Sequence, residues 1–174
     1  MENDLLILEA SSVANGFRIL NSLPNVKLVD AEPIGAGRFL IVIRGSRQPL
    51  LEIAKASGAI EFDVIEKISQ DVLDAVFSLA PAKLSGSLLV AETESATAMF
   101  TLAQILVAEH GLRAIGIKIR KGGVGGAYAY FTGAPDVCAP AAEAARTRLR
   151  AQLKKGVLEV FDQPSPAVRS LFED

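Results

Sequence analysis

The chain has 174 residues, a formal net charge of −2 and a hydrophobic fraction of 50%, with no tryptophan and few aromatic residues. That is enough chain for one large domain or two of about 80–90 residues with full apolar cores, and the charge excludes a nucleic-acid binder that works by neutralising phosphates. One cysteine, Cys138, excludes an internal disulfide and a multi-cysteine metal site.

Taken in chain order, Leu5 to Leu8 predicts a short buried strand. Ser11 to Leu23 predicts a helix, with Ser11 or Ser12 as N-cap and Val13, Phe17 and Leu20 on one stripe. Pro24-Asn25 stops it. Val26–Glu32 and Arg38–Arg44 predict two strands joined by the turn Pro33-Ile34-Gly35-Ala36-Gly37. A helix follows from about Pro49 to Ser57, then a strand from Glu61 to Ile68, then a short helix capped by Ser69 that turns Val72, Leu73, Val76 and Phe77 inward. A Pro/Lys/Ser/Gly stretch from Ala80 to Gly86 reads as a linker.

The order then repeats. Leu88–Ala91 predicts a strand, and Ser95–His110 a longer helix ended by Gly111. Leu112–Arg120 alternates, with Ile115, Ile117 and Ile119 on one face. Lys121–Gly126 is a glycine-rich turn and Ala127–Thr132 the return strand. An alanine-rich helix is expected over Pro140–Leu153, with Cys138 just before it, then a strand over Val157–Phe161 and a closing helix opened by Ser165-Pro166. Leu6-Ile7-Leu8-Glu9 and Leu89-Val90-Ala91-Glu92 open the two copies, and Phe17 and Phe100 fall 83 residues apart. The glycine pairs fall 88 apart, so the second copy carries a five-residue insertion. The expected fold class is α+β: two tandem ferredoxin-like domains, 1–80 and 86–174, each an antiparallel sheet with helices in the order β-α-β-β-α-β-α. Two similar units in one chain can build a ring with half the usual number of subunits.

The glycine loops carry the most information. A dinucleotide fingerprint needs a third glycine and a following helix; here Leu40 and Tyr128 occupy the third positions and a strand follows each loop. A phosphate loop needs Gly-Lys-Ser/Thr, which never occurs. Two readings stay open: a hairpin turn that needs positive φ, or backbone that comes close to something on a symmetry axis. Arg38, Lys118, Arg120 and Lys121 flank the loops, either as solvated strand ends or as a positive rim that gathers anions. His110, the sole histidine, suits a helix C-terminus. Glu9 and Glu92 close the first strand of each copy, which points to a shared structural hydrogen bond. No Gly-x-Ser-x-Gly elbow occurs, and no catalytic set or metal site is expected. The acidic start Met1-Glu2-Asn3-Asp4 lacks the basic region of a signal peptide, and no uncharged apolar run reaches membrane-spanning length, so a cytoplasmic location without membrane or nucleic-acid partners is expected.

These residues resemble a known family. Ile7-Leu8-Glu9-Ala10-Ser11-Ser12-Val13-Ala14-Asn15-Gly16, then Asn25 to Val29, then Ile34-Gly35-Ala36-Gly37-Arg38-Phe39 running to Gly45, resemble the opening, second strand, pore loop and third strand of bacterial microcompartment shell domains. Gly123-Val124-Gly125-Gly126 and the strand to Gly133 are similar to the same element in the second domain of tandem shell proteins, most closely the propanediol-utilisation-type class with non-permuted topology. The resemblance implies a non-enzymatic homotrimer. Three chains would form a pseudohexameric tile beside other shell proteins, around a pore that passes small metabolites, in the bacterial cytoplasm. Its pore-lining residues would be Gly35, Ala36, Gly37, Arg38, Gly123, Val124 and Gly125. A tryptophan at position 35 would then obstruct the opening without harming the fold. Several tandem relatives hold an iron–sulfur cluster on a cysteine where this chain has Gly35, so no cofactor is expected. Asn21-Ser22-Leu23 and Leu106-Val107-Ala108 stand where the family carries an edge-packing lysine. A reading from a different class is a ferredoxin-like regulatory module that binds a small metabolite at the repeat interface; it predicts a dimer or tetramer.

Overall fold

The computed structural model describes residues 3–79 and 82–172. Ala80 and Pro81 of the expected linker lie outside the described residues. Strands β1 (Asp4–Ala10), β2 (Lys27–Pro33), β3 (Phe39–Gly45) and β4 (Glu61–Ile65) form one antiparallel sheet in the order β2-β3-β1-β4. Strands β5 (Ser87–Thr93), β6 (Arg113–Ile119), β7 (Ala127–Gly133) and β8 (Val157–Phe161) form a second in the matching order β6-β7-β5-β8. The class is α+β, with two domains of one topology in tandem, as the repeat predicts.

β1 is a central strand, and its run Leu5-Leu6-Ile7-Leu8 is buried on both sides, which is why it shows no polar alternation. On one side Leu6, Leu8, Phe39, Ile41 and Ile43 pack with Ile19 of helix α1 (Val13–Ser22) and with Leu50 and Ala54 of helix α2 (Arg47–Ser57). Ser12 caps α1 by accepting a 3.1 Å hydrogen bond from the Asn15 amide. α1 buries Gly16 and Ile19, whereas Val13 and Phe17 are exposed. Of the apolar stripe read from the periodicity, Leu20 packs against this core and the Phe17 ring edges onto Phe39, but Val13 and most of Phe17 face outward. A Cβ at position 16 would stand 2.4–2.7 Å from Phe39 side-chain atoms, so glycine lets the helix lie close on β3.

The offset between copies grows along the chain. It is 83 residues from Glu9 to Glu92, 86 from Lys27 to Arg113, 88 from Phe39 to Ala127, and 96 from Ile65 to Phe161, as the strand registers align them. The five-residue insertion is thus split between the first two connections, and the third adds eight residues more. The edge strands β2 and β6 carry a register shift at matching places, Leu28/Asp30 and Ala114/Gly116. That bulge breaks the expected alternation of Ile115, Ile117 and Ile119: the buried residues of β6 are Ala114 and Ile117.

In the second copy Ser95 caps helix α4 (Ala96–Gln104), which continues as a π-helical turn over Ile105–Glu109 before Gly111. Helix α5 is Pro135–Arg148, not Pro140–Leu153. Pro135 takes the first-turn position, where its missing N–H costs nothing, and Pro140 lies inside the helix. Cys138 is consequently a buried residue of α5 and not part of a loop before it. Helix α3 (Gln70–Phe77) follows Ser69, and the short helix α6 (Pro166–Arg169) follows Ser165. Ser165 caps through its hydroxyl; Ser69 makes no such bond, and its amide donates to Gln104 Oε1 at 2.8 Å.

Spatial contact divides the chain into two compact units. One runs through Ile68 and takes in Arg120–Gly125; the other begins at Ser69, runs to Ile119 and resumes at Gly126. Helix α3 accordingly packs on β6 and α4. Arg113 Nε meets Asp71 Oδ2 at 2.7 Å, and Lys118 Nζ donates to Ser78 Oγ at 3.1 Å. In the linker, Ala82 donates to the Ala114 carbonyl and Ser85 to Thr132 Oγ1.

Candidate functional site

The first glycine loop is a tight turn over Gly35–Gly37 between β2 and β3, closed by the Arg38 amide on the Gly35 carbonyl, with positive φ at Ala36 and Gly37. The second, Arg120–Gly125, belongs to the same compact unit. The two are joined through backbone: the Gly35 amide donates to the Arg120 carbonyl at 2.8 Å and the Ala36 amide to the Gly123 carbonyl at 2.8 Å. A side chain at position 35 has nowhere to go. An ideal Cβ there would lie 2.6 Å from Gly125 Cα, 2.6 Å from Gly125 N and 2.7 Å from the Gly122 oxygen. Glycine is required at 35 for close approach of backbone to backbone, not for an unusual φ. Ala36, by contrast, holds φ 60° and ψ 24°, a left-handed conformation that L-residues adopt at a cost of about 1–2 kcal/mol.

This geometry sorts the seven expected pore residues. Ala36, Gly37, Gly123 and Val124 are exposed, and Val124 is 85% so. A Cβ at Gly37 or Gly123 would meet nothing within 4 Å. Gly35 and Gly125 are buried in the contact between loops. The expectation that a tryptophan at 35 would be tolerated is therefore wrong: it would collide with the second loop before it reached any opening.

Arg38 is turned back into the protein. Its Nη1 lies 3.1 Å from Glu9 Oε2, and Glu9 is fully buried. The ion pair closes the end of β1 against the start of β3, in line with the structural role read from Glu9. Lys121 Nζ meets Glu32 Oε2 at 2.5 Å, and that bond and charge raise the lysine's pKa above its ordinary value. Two of the four basic residues of the supposed rim thus have a carboxylate partner, and Lys118 bonds Ser78. Beside them, burial and the neighbouring Glu32 raise the pKa of Asp30. Arg38 and Lys121 are therefore charge-compensated. Sequence patterning counted the rim's cations but could not supply Glu9 and Glu32, which lie far from them in the chain.

Cys138 lies in α5, where burial and then Asp162 raise its thiol pKa. Among the described residues, no group of three His, Cys, Asp or Glu side chains is placed to hold a metal ion, and no helix is long and apolar enough to cross a membrane.

No protein-family model and no curated protein matches the sequence. Among solved structures, a microcompartment protein from Desulfitobacterium hafniense DCB superimposes with a TM-score of 0.78 over 96% of this chain and 98% of that one, at 20% identity. An unknown protein from Galdieria sulphuraria covers 94% of this chain and 99% of its own at 9% identity, but its TM-score of 0.32 is too low to argue from. At 0.78 the agreement spans both copies of the repeat, so this chain has the tandem α+β fold of a microcompartment protein.

Proposed function

We propose that the protein is a structural, non-enzymatic component of a bacterial microcompartment shell. Three chains would close into a pseudohexameric tile whose central pore passes small metabolites. The fold shared with the Desulfitobacterium protein supports the compartment setting. The observation that carries the pore is the joined pair of glycine loops. Each copy of the repeat offers one, the two bond edge to edge through Gly35–Arg120 and Ala36–Gly123, and their tips stay open to solvent. Repeating that junction between chains gives a ring in which each loop meets the next, a head-to-tail arrangement that closes after a fixed number of subunits.

In this reading Ala36, Gly37, Gly123 and Val124 form the narrow ring, Gly35 and Gly125 hold the loops together behind it, and Arg38 braces the wall. Small residues and backbone amides at the rim select solutes by width and by hydrogen bonding. Net cationic attraction contributes little, since Arg38 and Lys121 are paired. The sequence halves 1–80 and 86–174 each supply one domain of the tile. Assembly would be with other shell proteins, inside the bacterial cytoplasm.

Mass by light scattering tests this. A trimer of about 55 kDa, three times 18.4 kDa, is expected. A dimer or tetramer would favour the regulatory module.

A further inference from the structure

The two copies of the repeat present the same surface in two different states. In the second copy Ala96, Phe100 and Ala114 are 0%, 0% and 3% exposed. Their equivalents in the first copy, by the offsets of the strands and helices that carry them, are Val13, Phe17 and Leu28, which are 39%, 61% and 48% exposed. Helix α3 packs on both β6 and α4, the elements that carry these second-copy residues. Two polar contacts fix it there: the Ser69 amide on Gln104 Oε1 and Asp71 on Arg113. The first-copy face has larger apolar side chains, and they stand in solvent.

Among the described residues there is one other segment of the α3 type. Ser69 stands four residues after the end of β4, and Ser165 four residues after the end of β8. Each begins a helix, α3 in the first copy and α6 with its continuation to Phe172 in the second. Leu171 on that segment is 76% exposed. Aligned on the two serines, Ala167 takes the place of Asp71, and Leu171 that of the buried Ala75. The bare face has small-to-large changes (Ala96 to Val13, Ala114 to Leu28), so it offers more apolar surface than the covered one. Apolar side chains left exposed where their counterparts in the sister copy are buried point to a contact site.

We propose that the face formed by Val13, Phe17 and Leu28 is covered by the C-terminal helical segment, Pro166–Phe172, of a second copy of this chain. The contact reproduces between chains what α3 makes on β6 and α4 within one. It rests on the ring reading, because the partner is another protomer, and it adds which surfaces meet and in which direction. The pairing is heterologous, so each chain gives its C-terminal segment to one neighbour and its α1–β2 face to the other. Asn21 replaces Gln104 and Lys27 replaces Arg113 at the rim of the bare face.

Cross-linking with a short bis-maleimide tests the pairing, with Lys27→Cys and Ala167→Cys as the probe pair, since they are the equivalents of the ion-paired Arg113 and Asp71. Cys138 is buried and contributes little background. The double variant is expected to give covalent dimers and trimers, and each single variant none. Phe17→Asp is expected to shift the particle from about 55 kDa to 18.4 kDa with unchanged far-ultraviolet circular dichroism. Three results would overturn the pairing and leave the ring reading standing: an assembled wild type whose double variant does not cross-link, a Lys27→Cys single variant that links to itself, or a Phe17→Asp protein that stays assembled. A monomeric wild type would sink both.

Discussion

Gly35→Ala isolates the contact between the glycine loops. Carbon atoms in contact sit about 3.5–4.0 Å apart, and the new Cβ would start 2.6 Å from Gly125 Cα and N. Those are backbone atoms, so the loop Arg120–Gly125 must retreat by roughly 1 Å. A retreat of that size stretches both 2.8 Å amide–carbonyl bonds past the ~3.2 Å limit of a good N–H···O bond. Each is worth about 0.5–1.5 kcal/mol net, so the loss is about 1–3 kcal/mol, the usual range for overpacking as well. The assay is amide hydrogen exchange at residues 35 and 36, at fixed protein concentration. At about 1.4 kcal/mol per factor of ten, protection should fall by roughly five- to 140-fold. Gly37→Ala is the control. It places a side chain at φ +71° with nothing within 4 Å, so it carries only left-handed backbone strain and should spare the two amides. Equal protection in Gly35→Ala and wild type would show that the loops do not meet as described.

Arg38→Ala leaves the fully buried Glu9 without its guanidinium and should destabilise the fold by about 1–3 kcal/mol, less than the ~3–5 kcal/mol of a wholly buried pair because Arg38 is 28% exposed; denaturation midpoints that Glu9→Gln fails to restore in the double variant would refute the pairing. Asp30 has a raised folded pKa, so its protonated form is favoured by folding and its charge opposes stability as pH rises through that value; Asp30→Asn should therefore melt higher than wild type at pH 7, and the difference should vanish below about pH 3.8. Cys138 should resist a thiol reagent in native protein and react in denaturant, since burial and Asp162 hold down its thiolate fraction; fast native labelling would place it at the surface. Protein purified anaerobically should show no iron–sulfur absorption, and stoichiometric iron would overturn that expectation.

Most of the fold was legible because its signals are local. Caps at Ser12, Ser95 and Ser165, the glycine turns and the unbroken apolar strands β1 and β5 all sit where chain order places them. Several of the misreadings depend on partners distant in sequence. Phe17 and Phe100 hold the same place in the repeat, and periodicity alone cannot tell that α3 covers one face and not the other. Pro135 and Pro140 are equally good first-turn residues, so the start of α5 slipped by five positions. A bulge in β6 changes which side chains face the core without changing composition. At the candidate site, the glycines flagged by sequence divide into an exposed tip and a buried junction, a distinction set by Gly122 and Gly125 across from Gly35. Arg38 reads as a free rim charge from sequence because Glu9, its partner, lies 29 residues away.

Cryo-electron microscopy of the purified wild-type protein bears most directly on the central claim. Three chains arranged as six α+β domains about an open axis are expected, with Ala36, Gly37, Gly123 and Val124 at the narrowest ring. A particle with the two glycine loops on its outer surface, or with a single chain as its whole mass, would contradict the account.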